Sequence, residues 1–366
     1  MPDKTIAVLT SGGDSPGMNA AVRAIVKVAA SRGVAVVGVE DGYSGLLAGR
    51  LRPLTQQVRD GIVGDPDIDF WGSQGGTLLG SARELRFLTA EGRAPAVRQL
   101  AGMAGLIVIG GNGSLGGAHA LAQESGVPVI GIPASIDNDV GCTSTAIGVD
   151  TALNTIVASC DKICDTARAH HRAFVVEVMG RDCGYLAMAS AVAVGADAVL
   201  FREQGRSEPE IVSAVEAAVR HAFAATRGKQ RVLILKAEGV GVPCTSLVRQ
   251  VQERVAADLP GAEVRATVLG HLVRGGNPTF QDRMVAGRLG LAAVEAVLAG
   301  RNDEMAAWMS TSAGPTEGGT KTIDPAVTLH PLTRVLEESH ALVDGTSPLT
   351  KRRVQMMEKI EGVLGL

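Results

Sequence analysis

Short apolar, β-branched runs recur along the chain, separated by longer segments with helical periodicity. The runs are IAVLT (6–10), VAVVGVE (34–40), LIVIGG (106–111), VPVIGIP (127–133), AFVVEVMG (173–180), RVLILKA (231–237) and VRATVLG (264–270). Runs apolar on both faces predict parallel strands covered on two sides. Helices are expected over about 18–31, 114–125, 146–168, 183–194, 208–225, 246–258 and 280–299. The last ends in Ala299-Gly300-Arg301, a C-cap pattern. The strand followed by a glycine-rich loop occurs in both the first and second thirds, which two similar lobes facing each other across a cleft would explain. The expectation is an α/β protein of two similar doubly wound, mostly parallel lobes: residues 1–147, then 148–274, a return to the first lobe over 275–306, and an extension over 307–366. In that extension, 311–322 reads as a loop, with helical patterns near 331–342 and 348–362.

Composition narrows the function classes. The chain has 366 residues, enough for two domains; hydrophobic residues make up 46% but aromatics only 3%, so Ala, Val, Leu and Ile must build the core. Lys plus Arg number 35 against 38 Asp plus Glu, with no long basic run, so nucleic acid is not an expected partner. Any phosphate must be recognised by local arginines. Five cysteines without a CxxC pair argue against a disulfide framework and for a reducing cytoplasm. Cys160 and Cys164 stand one helical turn apart but lack further ligands at metal spacing. The stretch Leu186 to Ala196 is too short to span a membrane, and MPDKT leads directly into a strand without a signal-peptide pattern.

Candidate chemistry sits in four loops at the C-terminal ends of predicted strands, where open α/β sheets collect ligands. In TSGGDSPGMN, Gly12, Gly13 and Asp14 precede a helix; glycines let backbone N–H groups approach an anion, though a ligand-free turn has the same residues. In IGGNGSLGG, Gly110, Gly111, Asn112, Gly113 and Ser114 offer a run of N–H donors and a hydroxyl, without the GK[ST] ending of a Walker loop. A packing turn is the alternative. In IPASIDND, Asp137 and Asp139 flank Asn138 beside Ser135: one carboxylate can take a hydroxyl proton and the other hold a metal, unless the stretch is an Asx-rich cap. In VVEVMGRDCG, Glu177 lies inside the strand and Met179, Gly180 and Arg181 at its end, where an arginine can stabilise a transferring phosphoryl group. Arg83, Arg172, Arg265, His271 and Arg274 add basic groups able to bind a phosphate monoester together. Taken singly, each is an ordinary surface or packed residue.

The loops taken together resemble the phosphofructokinase family. The matching pieces are LTSGGDSPGMNAAVR (9–23), EDGYSGL (40–46), GSAR (80–83), IGGNGS (109–114), IPASIDND (132–139), AIGVDTAL (146–153), HRAFVVEVMGRDCGYLA (171–187), KAEG (236–239) and RATVLGHLVRGGNPTFQDR (265–283), in family order. The resemblance implies phosphorylation of fructose 6-phosphate at its 1-hydroxyl in the cleft, by a homotetramer, with the first lobe binding nucleotide and the second the sugar phosphate. It implies Asp137 as base, assisted by Ser135 and Asp139, and Arg181 and Arg83 on the phosphoryl groups. Met179, Gly180 and Glu238 would hold the sugar, His271 and Arg274 its 6-phosphate. Residues matching Arg172 and Arg265 would reach that phosphate from a neighbouring subunit. The donor side would use Gly12, Tyr43, Arg83, Glu84, Gly111, Asn112, Gly113 and Ser114, with Mg2+ held by Asn112 and Asp139.

Gly113 and Ala134 are small and no lysine stands beside them, which favours ATP over pyrophosphate. A pyrophosphate-dependent enzyme or a non-catalytic regulatory relative are the alternatives. Two departures from the family pattern stand out. Asn112 replaces the metal-associated aspartate, leaving Asp139 or Asp14 to carry more of the load. Cys164 replaces an arginine that binds effector phosphate in bacterial relatives, leaving Arg23 and Lys229 as effector contacts.

Overall fold

A computed structural model describes residues 4–224, 229–310, 318–361 and 363. The expected loop at 311–322 lies mostly outside these, as does the last residue of the helix expected to 225 and residue 362 of the last helical pattern. The strands are β1 Thr5–Ser11, β2 Ala35–Val39, β3 Leu51–Pro53, β4 Thr55–Val58, β5 Gly61–Gly64, β6 Gly105–Gly110, β7 Val129–Pro133, β8 Arg172–Val178, β9 Ala198–Leu200, β10 Val232–Ala237, β11 Glu263–Val268, β12 Glu304–Trp308, β13 Thr320–Lys321 and β14 Val327–Pro331. The helices are α1 Met18–Ser31, α2 Gly42–Ala48, α3 Ile68–Trp71, α4 Ala90–Leu100, α5 Asn112–Glu124, α6 Val149–His170, α7 Tyr185–Val194, α8 Glu208–Phe223, α9 Cys244–Val255, α10 Phe280–Leu298, α11 Leu332–Val343 and α12 Pro348–Ile360. All seven expected strands and all seven expected helices are among them, with ends shifted by a few residues.

The chain divides into two compact units, Met1–Thr151 with Arg274–His340, and Ala152–Val273 with Ala341–Leu366. The first holds an eight-stranded sheet in the order β13-β14-β12-β7-β6-β1-β2-β3. Its centre, from β12 to β2, is parallel, and β14, β13 and β3 add antiparallel edges. Successive side chains alternate between the faces of a strand, and both faces are apolar here. Ile6, Val8, Ile107 and Ile109 enter one buried cluster with α1 and α10; Ala7, Leu9, Leu106 and Val108 enter another with α2, α4 and α5. The sheet is therefore doubly wound. Small residues set the spacing on the first face: a Cβ on Gly290 of α10 would stand 2.8 Å from the Ala24 Cβ of α1.

The second unit is a four-stranded, all-parallel sheet, β11-β8-β10-β9. Every residue of β10 is buried, including Lys236 at 1% exposure, whose Nζ meets Glu177 Oε2 at 2.9 Å. A buried lysine needs such a partner.

Between 41 and 104 the chain forms elements without a strong pattern of their own: β3–β5 are only three or four residues long, and α4 carries Pro95 and buries only Ala96 and Leu100. Beyond 300 the chain is more than helices. β12, β14 and β13 extend the first sheet, clamped by Arg288, which pairs with Asp324 and stacks 4.8 Å over the Trp308 ring. Trp308 is 7% exposed, so this clamp is part of the core.

Candidate active site

In the first unit, three loops at the C-terminal ends of neighbouring parallel strands pack on one another. Gly12 follows β1 at φ 86°, a left-handed conformation that favours glycine, and a Cβ there would stand 3.1 Å from Ser114 Oγ at the start of α5. Ser81 Oγ donates to the Gly12 carbonyl at 2.6 Å. Arg274 Nη1 donates to the Asp14 carbonyl at 3.1 Å and lies against Gly13. Gly110, at the end of β6, has no room for a side chain: its Cβ would meet Ser11 O at 2.5 Å. The N-terminus of α5 has no side-chain cap and no acidic residue in its first turn, and Gly113 is exposed, with space beyond it. Unsatisfied N–H groups and the helix dipole make that end receptive to an anion.

The Asp-Asn-Asp turn follows β7 directly. Asn138 takes φ 51° and its Oδ1 accepts from Ala146 N at 3.1 Å, which fixes the turn between the two flanking aspartates. Asp137 is 5% exposed, and its backbone N–H donates to Ser135 Oγ at 3.2 Å. Ser135 Oγ in turn donates to Asp139 Oδ1 at 3.3 Å. Asn112 Nδ2 donates to Asp139 Oδ2 at 3.0 Å and to its carbonyl at 3.2 Å, while Asn112 Oδ1 is buried without a hydrogen-bond partner. Ser135, Asp139 and Asn112 thus form one network beside Asp137. An amide oxygen stripped of water and left without a donor is costly; together with the Asp139 carboxylate it is the hard oxygen set that suits Mg2+.

Tyr43 and Glu84 are engaged by their own unit. The Tyr43 ring is buried and stacked on Phe87 at 3.9 Å, and its hydroxyl donates to the Ser114 carbonyl at 2.5 Å; burial raises its pKa. Glu84 caps the 3-10 helix Leu85–Leu88, and hydrogen bonds from Arg86 hold its carboxyl down at about 2. Arg83 is exposed.

The second unit presents a turn after β8. Arg181 has φ 49°, and its backbone N–H donates to Glu238 Oε1 at 2.7 Å. A Cβ on Gly239 would overlap the Arg181 carbonyl, so this close approach requires glycine. Met179 and Gly180 lie in the same turn; the Arg181 side chain is exposed. Arg172 and Arg265 are brought together by Glu263, whose Oε2 accepts from Arg172 Nε at 2.6 Å and Arg265 Nη2 at 3.0 Å. The two guanidinium groups hold that carboxyl below its usual range. His271 is exposed on the 3-10 helix Gly270–Arg274.

Of the residues expected as effector contacts, Lys229 Nζ pairs with Asp197 Oδ1 at 2.5 Å, and Arg23 with Asp69 at 2.6 Å. Cys164 is buried, which pushes its thiol up.

Several residues that shape the site are silent in the sequence. Asp282 is buried and accepts from Gly148 N, Thr151 N and Thr151 Oγ1 at 2.6 to 2.8 Å, tying α10 to the start of α6; burial raises its pKa. Ser339 Oγ and Glu338 Oε2 of α11 accept from Gly141 N and Cys142 N, fixing the backbone just after the Asp-Asn-Asp turn. The only local signal for α11 is its amphipathic period, which says nothing about what it supports.

Glycine-lined loops, an open helix N-terminus and a carboxylate turn, all at the carboxyl ends of parallel strands, define an α/β protein equipped to handle phosphate. The phosphofructokinase family model matches residues 5–297. An ATP-dependent 6-phosphofructokinase of Thermotoga neapolitana is 46% identical over 307 residues, covering 83% of this chain and 89% of its own. One from Halalkalibacterium halodurans is 43% identical over 343 residues, 93% of this chain and 96% of its own, so that likeness reaches into the segment beyond 300. Two yeast phosphofructokinase structures match across the fold: that of Saccharomyces cerevisiae with TM-score 0.76, 31% identity and 99% of this chain, and that of Pichia pastoris with 0.81, 28% and 100%. This chain spans 48% and 40% of those two. The chain belongs to the phosphofructokinase family.

Proposed function

We propose that the chain is an ATP-dependent 6-phosphofructokinase, transferring the γ-phosphoryl group of ATP to the 1-hydroxyl of fructose 6-phosphate in the glycolytic pathway of the cytoplasm. The names of its relatives at 46% and 43% identity support ATP as donor. The observation that carries the chemistry is the buried Asp137 in a turn whose neighbours are networked to the mouth of α5.

In this reading the 1-hydroxyl oxygen attacks the γ-phosphorus, its proton passes to the Asp137 carboxylate, and the bond to the β-γ bridging oxygen breaks to release ADP. The α5 N-terminus and the Gly12 loop take the donor phosphates through backbone N–H groups, and Tyr43 acts indirectly by fixing the Ser114 carbonyl. Arg83 and Arg181 offset the charge that builds on the phosphoryl oxygens. Met179, Gly180 and Glu238 hold the sugar; His271 and Arg274 take its 6-phosphate. Arg172 and Arg265, already paired on Glu263, serve the 6-phosphate of an adjoining copy, which makes the active species an oligomer, a tetramer in this reading. Mg2+ would be held by Asn112 Oδ1 and Asp139, and when bound supplies charge neutralisation at the donor phosphates.

A coupled assay of fructose 1,6-bisphosphate formation with ATP or pyrophosphate, across a Mg2+ titration, tests the donor and the ion together. Turnover with pyrophosphate and none with ATP would end the reading. Asn112→Asp replaces a neutral ligand by a carboxylate and should lower the Mg2+ concentration for half-maximal rate severalfold; an unchanged titration would remove this position from the ion.

A further inference from the structure

The last helix, α12, carries a stripe that the reaction as described does not use. Thr350, Arg353 and Met357 follow one another at intervals of three and four residues, which places them on a single helix face, and Glu361, the residue that caps the helix C-terminus, continues the series four residues on. Thr350 and Met357 are buried, at 4% and 1% exposure. The two charged members of the stripe each grip another part of the second unit. The Arg353 guanidinium lies 4.5 Å over the ring of Tyr185, the first residue of α7. Glu361 accepts a bidentate pair from Arg206, at 3.2 Å from Nη1 and 2.7 Å from Nη2, with both side chains about three-quarters covered.

Those two grips close on one small region. Arg206 follows the 3-10 helix Arg202–Gln204, and that helix holds the Arg181 turn at two points. Arg202 Nη1 donates to Asp182 Oδ1 at 2.6 Å, and Glu203 Oε1 accepts from Gly184 N at 2.8 Å. Gly184 in turn precedes Tyr185. The backbone from 181 to 185 is therefore fixed from the 3-10 helix on one side and from Arg353 on the other. Glu238 supports it as well, at the Arg181 N–H.

We propose that α12 is a positioning element of the sugar-phosphate subsite: Arg353, Glu361 and Arg206 set the 181–185 backbone, and with it the Arg181 and Glu238 geometry that meets fructose 6-phosphate. This rests on the functional reading above. None of the three residues touches substrate in it; they act through the turn.

The test uses the full-length enzyme and the variants Glu361→Gln, Arg206→Gln and the charge exchange Arg206→Glu with Glu361→Arg. Each single variant should raise KM for fructose 6-phosphate about fivefold while kcat and KM for ATP stay within about twofold, and the exchange should recover most of the loss. In hydrogen exchange, amides of 181–185 should exchange about fivefold faster in the single variants. A sugar KM unchanged in both single variants, or a joint fall of kcat and both affinities with the melting temperature, would overturn the proposal. A wild-type protein inactive with ATP and fructose 6-phosphate would sink the functional reading instead. The exchange measurement would then still decide whether α12 holds the turn.

Discussion

The loops that carry the candidate site residues are held by different means in the two units. In the first, the loops after β1 and β6 are shaped by backbone: Gly110 too crowded for a Cβ, no side-chain cap at the α5 N-terminus, and an aspartate turn held by Ser135, Ser339 and Glu338 through main-chain bonds. In the second, side-chain ion pairs dominate: Arg172 and Arg265 on Glu263, Arg202 on Asp182, Arg206 on Glu361 and Lys236 on Glu177. Backbone donors are fixed in number and place by the fold, so such a site is intolerant of an added atom where backbone meets backbone, as at Gly110. Side-chain pairs can exchange one anion for another, so in the proposed function Arg172 and Arg265 would trade Glu263 for a phosphate.

The largest expected effect lies on the backbone-built side. Asp137→Ser should cut kcat by about a thousandfold or more, with sugar-phosphate affinity nearly unchanged; near-normal kcat by steady-state kinetics would remove Asp137 as base. Next, Gly110→Ala forces a Cβ against the Ser11 carbonyl and should cost about 2 kcal/mol of stability by denaturant titration. A neutral result would show that the loop can yield, and the contrast between the units would weaken. On the ion-paired side, Arg265→Leu should raise KM for fructose 6-phosphate about tenfold and leave KM for ATP unchanged. Equal loss of both would mean that the arginine is not reserved for the sugar.

The smallest effect concerns pH. Arg288 holds the Asp324 carboxyl below its ordinary value of 3.8, chiefly by hydrogen bonding. The unfolded chain binds that proton more readily, so the pair's contribution is full above about pH 4 and is lost as pH falls through the lowered native value. Thermal melts from pH 5 to 3 should fall more steeply for the wild type than for Asp324→Asn. Parallel curves would show that the clamp adds nothing that depends on charge.

Much of this was legible along the chain because strands buried on both faces must be apolar throughout, and because glycine is enforced where backbone approaches backbone. Ile6–Thr10 and Leu106–Gly111 announced strand and loop without any knowledge of their neighbours. Between 41 and 104 the signal fails, since β3 to β5 are too short to show a period and α4 has no continuous apolar stripe. Beyond 300 the helical periods are visible along the chain but β12 and β14 are not. Each of those is five residues long, and each becomes a strand by pairing with a partner distant in sequence.

By itself, then, the sequence determined the alternation of parallel strands and helices, the glycine loops at the strand ends, and the residue types available there for phosphate chemistry. Those are local consequences of burial and of backbone sterics. Tertiary structure alone decided that Asn112 meets Asp139, that Arg172 and Arg265 share Glu263, that Tyr43 meets Ser114, and that α11 and α12 pack on segments far earlier in the chain. Such pairings depend on which distant segments the packed sheets bring within hydrogen-bond reach, and no short stretch of chain carries that information.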